Sequence, residues 1–101
     1  MMKTPEKLFF TALGNDYRYR ILTLLMKKPM SVNALAEKLG IEQSNLSHHL
    51  KCLLDCRFVE ADVKGRTRIY RLSPATKELV GSTKKYINYY GGYLKKCGML
   101  S

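Results

Sequence analysis

The chain has 101 residues, 46% of them hydrophobic and 26% charged, which is typical of one small folded domain over residues 1–101 rather than a disordered tail. Eighteen Lys and Arg against eight Asp and Glu give a net charge of +10, which indicates a polyanionic partner, either nucleic acid or an acidic membrane surface. No apolar run reaches the roughly 18 residues of a membrane span, and no secretory signal pattern is present, so we expect a cytoplasmic protein with no membrane partner.

Helix signals dominate the first half of the chain. Thr4 and Pro5 form an N-cap pattern that opens a first helix, and Asn15 or Asp16 can cap a second helix that Pro29 stops. Ser31 caps a third helix, Gly40 stands where a C-cap with positive φ is wanted, and a fourth helix begins at about Gln43. Two short helices joined by a three-residue turn that contains Gly predict a helix-turn-helix over residues 31–55.

The predicted fourth helix has two contrasting faces. At about 100° per residue its leucines share one stripe that must be buried: Leu46, Leu50, Leu53 and Leu54. The opposite side carries Ser44, His48, Lys51 and Asp55. Small hydrogen-bonding side chains near the start of that face favour contact with base edges over an ordinary solvated face, which would carry more Lys and Glu.

From Phe58 the hydrophobic period changes to two, and a turn at Gly65 predicts a β-hairpin over residues 58–72. Its tip and return strand carry four basic residues with no acid among them: Lys64, Arg66, Arg68 and Arg71. A basic hairpin directly after a helix-turn-helix is typical of a wing that lies along DNA phosphates.

A last helix, capped by Ser73 and Pro74, is predicted over residues 74–97, with apolar residues recurring near the helical period of about 3.6. A domain of this size cannot easily bury both that stripe and the apolar side of the first helix. We therefore expect a homodimer whose interface includes Leu8, Phe9, Leu13, Tyr86, Ile87, Tyr90 and Leu94. The alternative is that the stripe packs back on its own core. Gly91 and Gly92 predict a kink or early fraying in this helix.

Two motifs resemble those of the ArsR/SmtB family of winged-helix repressors. One is Gln-Ser-Asn-Leu-Ser-His-His-Leu-Lys over residues 43–51, and the other is the hairpin set Gly65, Arg66, Tyr70 and Leu72. The likeness runs from about Leu8 to Leu79. It implies a mainly α winged helix-turn-helix with a small β-hairpin, in the order α-α-α-α-β-β-α. It also implies a homodimer that binds a palindromic operator on double-stranded DNA and releases it when an inducer binds.

The resemblance also implies which residues contact DNA. By position it assigns base reading to Gln43, Ser44, Asn45, Ser47, His48 and His49. It assigns phosphate contacts to Lys51, Lys64, Arg66 and Arg68. The angular position of His49, beside the leucine stripe, equally fits a partly buried histidine bonded to backbone.

The metal sites common in this family are not matched. Ser31 and Asn33 stand where sensors of arsenite, cadmium or lead carry a Cys-x-Cys pair, and the last helix offers only Glu78 and Cys97 as ligands. We therefore predict no metal and no cofactor.

Three cysteines leave further hypotheses open. His48, Cys52 and Cys56 recur every four residues, which permits a metal or thiol site, but angles beside the leucine stripe favour small buried side chains for both cysteines. Cys97 at the end of the last helix permits a thiol switch across a dimer axis.

The sequence thus predicts a DNA-binding transcriptional regulator that acts as a homodimeric repressor on an inverted-repeat operator. The alternatives are a thiol-responsive repressor that switches through Cys97, and a dimeric interaction module with non-specific affinity for polyanions. We do not expect an enzyme, because the sequence has no glycine-rich phosphate loop, no nucleophile elbow and no paired acids.

Overall fold

The structure is a computed structural model that describes residues 4–100. Residues 1–3 and 101 of the predicted domain lie outside the described residues. Within the described range the elements are α1 Pro5–Leu13, α2 Asp16–Lys27, β1 Met30–Ser31, α3 Val32–Leu39, α4 Gln43–Asp55, β2 Val59–Lys64, β3 Thr67–Leu72 and α5 Pro74–Lys96. The prediction of a mainly helical fold with a β-hairpin before the last helix is confirmed.

Short polar side chains start three of the helices, as predicted. The side chains of Thr4, Asn15 and Ser31 each accept a hydrogen bond of 3.0 to 3.2 Å from the backbone N–H three residues later. Gly40 ends α3 with φ at +67°, in the left-handed region that favours glycine. These local signals set the lengths of α1, α2 and α3 and the tight turn that leads into α4.

The sheet contains a third strand that the sequence prediction lacks. β2 and β3 form the predicted hairpin, and β1 adds to the other edge of β3 with Met30 opposite Tyr70 and Ser31 opposite Ile69. A two-residue strand is too short to show a period of two in the sequence. Its hydrogen-bond partner, β3, comes from a distant part of the chain, so the pairing is visible only in the folded structure. The added pairing attaches the hairpin to the start of α3.

The core is built from side chains of all five helices and of the sheet. Its most completely buried side chains are Ile21, Leu22, Leu35, Leu46, Leu50, Leu53, Val59, Leu72 and Val80. Three of the four leucines predicted for the buried stripe of α4 are therefore in the core, but Leu54 is only half-buried at its edge. Because buried leucines recur on one side of α4, the opposite side of that helix faces outward.

The last helix differs from its prediction in two details. Ser73 makes no side-chain hydrogen bond to the backbone of its own helix; its Oγ donates to the Phe58 carbonyl at 3.2 Å and shares a 2.6 Å bond with Thr76 Oγ1. The predicted early fraying is wrong, because α5 continues through Gly91 and Gly92 to Lys96. None of the helices within residues 4–100 combines the length and apolar content needed to cross a bilayer.

Candidate nucleic-acid interface

The outward side of α4 carries most of the residues predicted to read bases. Five of the six side chains are exposed, namely Gln43, Ser44, Asn45, Ser47 and His48, and we call this set the recognition face. The sixth, His49, is half-buried. Since leucine packing fixes the rotation of α4, the recognition face presents hydroxyl, amide and imidazole groups on a rigid element.

The first residue of the recognition face is held in place by a residue that the sequence analysis did not select as functional. Gln43 Nε2 donates a hydrogen bond to Asn33 Oδ1 of α3, so the start of α4 is tied to the preceding helix. From the sequence, Asn33 was notable only because it stands where metal sensors of the family carry a cysteine. Its spacing of ten residues from Gln43 gives no periodic signal, and only the crossing of α3 and α4 brings the two side chains together.

One groove joins the recognition face to the hairpin. It has a volume of about 320 Å³ and is lined by Ser31, Val32, Asn33, Gln43, Ser47, Arg66, Thr67 and Arg68. Side chains predicted to read bases and side chains predicted to contact phosphates therefore border the same concavity. The groove exists because β1 attaches the hairpin to the start of α3, beside α4.

The hairpin, which we call the wing, presents three cationic side chains to solvent. Lys64, Arg66 and Arg68 are exposed and form no ion pair with any residue from 4 to 100. The prediction that Arg71 is also unopposed is wrong. Its guanidinium pairs with Glu60, with Nη2 3.1 Å from Oε1, and with the carboxylate of Asp62.

The strand register explains this ion-pair cluster. Glu60 lies directly opposite Arg71 in the β2–β3 ladder, and Asp62, two residues further along β2, is on the same face. The two-residue loop at Gly65 and Arg66 sets this register, so alignment of the strands about that turn could have revealed the pairing. The positive charge of the wing is therefore concentrated at its tip.

Lys51, the phosphate contact predicted on α4, has an intrahelical partner. Its Nζ lies 3.2 Å from Asp55 Oδ2, and both side chains are mostly exposed. An exposed pair of this kind contributes about 0 to 1 kcal/mol, so Lys51 can exchange the carboxylate for a phosphate at little cost.

His49 is half-buried, as the second of its two predicted roles requires. Its ring lies against Tyr17 of α2, with 5.7 Å between ring centroids, and 5.9 Å from the ring of His48. Its Nδ1 is buried and has no hydrogen-bond partner among residues 4–100, so the predicted bond to backbone is not found for that atom. Burial lowers the pKa of His49, and the charges of Arg18 and His48 lower it further.

The predicted dimer residues fall into two groups. On α5, Tyr86, Ile87, Tyr90 and Leu94 have 40 to 54% of their surface exposed, and we call them the α5 stripe. The alternative that this stripe packs on its own core is therefore wrong for the single chain. Thr76 and Val80 are the buried residues of α5, because the helix is longer than the core it crosses.

On α1 the three residues predicted for the dimer interface differ in exposure. Leu8 is exposed, but Phe9 and Leu13 are half-buried and pack against the protein's own core, with the Phe9 ring 5.5 Å from that of Phe58. Phe10, which lies beside Phe9 on this helix, is also exposed and was not among the predicted interface residues. Helical spacing alone could not show that the hairpin supplies Phe58 to one side of α1.

Two of the three cysteines are exposed. Cys52 is half-buried, whereas Cys56 and Cys97 are exposed, so the prediction of a buried side chain is wrong for Cys56. Desolvation raises the pKa of the Cys56 thiol, and a hydrogen bond with Cys52 and the nearby Asp55 raise it further. Within residues 4–100, no three His, Cys, Asp or Glu side chains come together in a group that could hold a metal ion.

Comparisons with known proteins agree with this geometry. The family model of bacterial regulatory proteins of the arsR family matches residues 15–61. Rv0081 of Mycobacterium tuberculosis, an uncharacterised HTH-type transcriptional regulator, is 36% identical over 81 residues, which are 78% of this chain and 71% of that protein. Its crystal structure superposes with a TM-score of 0.81 at 32% identity, covering 86% of this chain and 89% of that one.

Two further relatives extend the comparison. The HTH-type transcriptional regulator NmtR of M. tuberculosis is 43% identical over 61 residues, which are 60% of this chain and 51% of NmtR. The homodimeric winged helix-turn-helix DNA-binding domain of Mb0332 from Mycobacterium bovis, a possible ArsR-family regulator, superposes with a TM-score of 0.80 at 25% identity, covering 86% of this chain and 82% of that domain.

The chain spans only 51 to 58% of the length of NmtR and of two other curated regulators that it matches. The Rv0081 alignment nevertheless extends over most of both proteins, in sequence and in structure. The chain therefore belongs to the ArsR family of bacterial regulatory proteins and has their winged helix-turn-helix fold.

Proposed function

We propose that the chain is a homodimeric transcriptional repressor that binds an inverted-repeat operator on double-stranded DNA. The observation that carries this proposal is the groove bordered by Gln43 and Ser47 of α4 and by Arg66 and Arg68 of the wing. The description of the related Mb0332 domain as homodimeric and DNA-binding supports it. Because bacterial DNA lies in the cytoplasm, the proposal places the protein there, in a regulatory rather than an enzymatic role.

The two sides of the groove suit different parts of the DNA. Between residues 43 and 56 the charges of Lys51 and Asp55 cancel, so α4 offers mainly neutral hydrogen-bonding groups, which suit base edges in the major groove. The wing tip carries three unpaired cations, Lys64, Arg66 and Arg68, which suit phosphates. Base reading and phosphate binding are thus divided between adjacent elements.

The dimer sets the spacing of the operator. The α5 stripe and Leu8 form the proposed interface, which leaves the recognition face of each protomer free. Two recognition helices related by a two-fold axis contact half-sites about 34 Å apart, one turn of DNA, or a multiple of that spacing. We expect an inverted repeat, and we expect repression because a dimer bound across a promoter excludes RNA polymerase.

The experiment starts with selection of tight-binding sequences from a random duplex library, followed by binding titrations of the selected operator and of random duplex. Ser44→Ala or His48→Ala should lower operator affinity about tenfold and leave random duplex unchanged, because a lost base contact costs about 1 to 3 kcal/mol. Arg66→Ala should weaken binding to both duplexes alike and reduce the slope of log affinity against log salt by about one.

Lys77→Ala is the matched control, since it removes the same charge from exposed surface on α5. It should leave both the operator preference and the salt slope close to wild type. If Arg66→Ala altered only sequence preference, the proposed division between α4 and the wing would be wrong. If selection yielded no sequence that binds more tightly than bulk DNA, the interaction module with non-specific polyanion affinity would replace the repressor.

A second proposal concerns release of the operator through Cys97. This thiol is exposed directly after α5, and its N–H donates to the Leu94 carbonyl at 3.2 Å, so it continues the line of the α5 stripe. Two Cys97 thiols of a dimer can reduce hydrogen peroxide: the sulfurs lose two electrons and two protons, a disulfide forms, and the peroxide becomes two molecules of water.

Peroxide treatment of the wild type should therefore produce a covalent dimer on non-reducing gels, lower operator affinity several-fold, and be reversed by a dithiol reductant. Cys97→Ser should form no covalent dimer and keep its operator affinity. Cys56→Ser, which removes the other exposed thiol, should respond like the wild type. Equal loss of affinity in wild type and Cys97→Ser would exclude the switch.

A further inference from the structure

His49 is separated from the recognition face by its contacts. Ser47 and His48 are exposed, whereas His49 is half-buried and its ring lies 5.7 Å from the ring of Tyr17, with 32° between the ring planes. Tyr17 belongs to the first turn of α2. The imidazole therefore lies at a contact between two helices, α2 and α4.

The residue next to Tyr17 connects this contact to α1. The Arg18 guanidinium donates hydrogen bonds to two carbonyls at the end of α1, from Nε to Ala12 at 2.8 Å and from Nη2 to Thr11 at 3.3 Å. The start of α2 is thus fixed to α1 by Arg18 and to the middle of α4 by the paired rings. Helix α1 also carries Leu8, which the proposed function places in the dimer interface.

We propose that His49 is a positioning residue that holds the recognition helix against α2 through Tyr17 and does not itself read a base. This inference rests on the proposed function, because it concerns how that function's base contacts are aligned. A residue that reads a base contributes to the recognition of one base pair of the operator. A positioning residue affects the placement of the whole helix, and so it affects all base contacts of α4 together.

The surroundings of His49 also favour its uncharged form. The groups that face it are Tyr17 and Arg18 from α2 and His48 from its own helix. A proton on its ring would place a cation beside Arg18 in a half-buried site, and its Nδ1 has no acceptor among residues 4–100 to receive that hydrogen. His49 therefore contacts Tyr17 as an uncharged imidazole.

Protonation should weaken this contact as the pH falls. Burial and the nearby positive charges hold the pKa of His49 below its ordinary value of 6.5. A histidine with a lower pKa in the folded than in the unfolded chain contributes stability that is fully present above pH 6.5 and is lost as the pH falls through the folded-state pKa. Operator affinity relative to random duplex should fall over the same range.

The decisive measurement uses the selected operator with each base pair replaced in turn. In His48→Ala the penalty for replacement should disappear at one base pair and persist at the others. In His49→Ala the penalties should shrink together across the half-site, and the intact operator should bind about tenfold more weakly. Tyr17→Ala should give the same pattern, and the double variant should lose little more than either single variant, because both changes remove one contact.

His49→Phe keeps an aromatic ring against Tyr17 and separates positioning from folding. It should retain most of the operator affinity. Its preference for operator over random duplex should no longer decrease below pH 6.5. The His49 imidazole, followed by NMR, should titrate closer to its ordinary value in Tyr17→Ala. Loss of the penalty at a single base pair in His49→Ala or His49→Phe would overturn the inference. A selection that yields no operator would instead overturn the proposed function, and this inference with it.

Discussion

Aspartate in place of Ile87 or Tyr90 is expected to dissociate the dimer and to lower operator affinity by about 100-fold or more. Both side chains are about half exposed in the single chain and lie in the α5 stripe, so dimerisation would transfer a new carboxylate from water to an apolar interface. A monomer binds only one half-site. In a dimer, binding to one half-site raises the effective concentration of the second protomer at the other half-site, and this raises the overall affinity by about 10² to 10⁴.

The measurement pairs light scattering or sedimentation, for the oligomeric state, with operator titration. Asn88→Asp is the matched control, because Asn88 is exposed beside Ile87 on α5 but lies outside the stripe. It should remain dimeric and bind operator within about twofold of the wild type. A wild type that is monomeric at micromolar concentration, or an Ile87→Asp variant that stays dimeric, would show that the α5 stripe is not the interface.

Leu53→Ala should have the largest effect on folding. Leu53 is fully buried on α4, so its truncation leaves a cavity in the core and should lower the free energy of unfolding by about 2 to 5 kcal/mol. That is a large part of the roughly 5 to 15 kcal/mol that stabilises a domain of ordinary size. Urea denaturation followed by circular dichroism, at one fixed protein concentration, measures the change.

Leu54→Ala supplies the control for this experiment, since the same atoms are removed from the adjacent, half-buried leucine. We expect the free energy of unfolding to fall by about 1 kcal/mol there. The Leu54 side chain buries less apolar surface than that of Leu53, and the space left by truncation opens to solvent. Equal losses at the two positions would contradict the assignment of the buried side of α4. The recognition face would then lose the physical basis for its outward orientation.

Local sequence signals determined the helices and the family. Capping by Thr4, Asn15 and Ser31, the left-handed Gly40 and the leucine period of α4 depend on neighbours within about four residues. Their positions are confirmed because the forces that set them act over the same short range. The motif of residues 43–51, joined to the hairpin set, likewise identified the ArsR family, which the family model and the relatives confirm.

Pairings between distant segments were decided only by the tertiary structure. The strand β1, the Gln43–Asn33 hydrogen bond and the contact of Phe9 with Phe58 each join residues that no local period relates. The neutralisation of Arg71 is an intermediate case, because it depends on the hairpin register, which the two-residue turn sets locally. These contacts formed the groove and concentrated the charge of the wing at its tip.

His49 shows the limit of sequence reasoning most clearly. Its position on the helical wheel is at the border between buried and exposed sides, so periodicity permits either a base contact or an interior contact. The start of α2, folded back by the turn after α1, brings Tyr17 against it. The sequence thus determined which elements form and which family they belong to, because those follow from local patterns. The tertiary structure decided what each borderline side chain contacts, because the partners come from elsewhere in the chain.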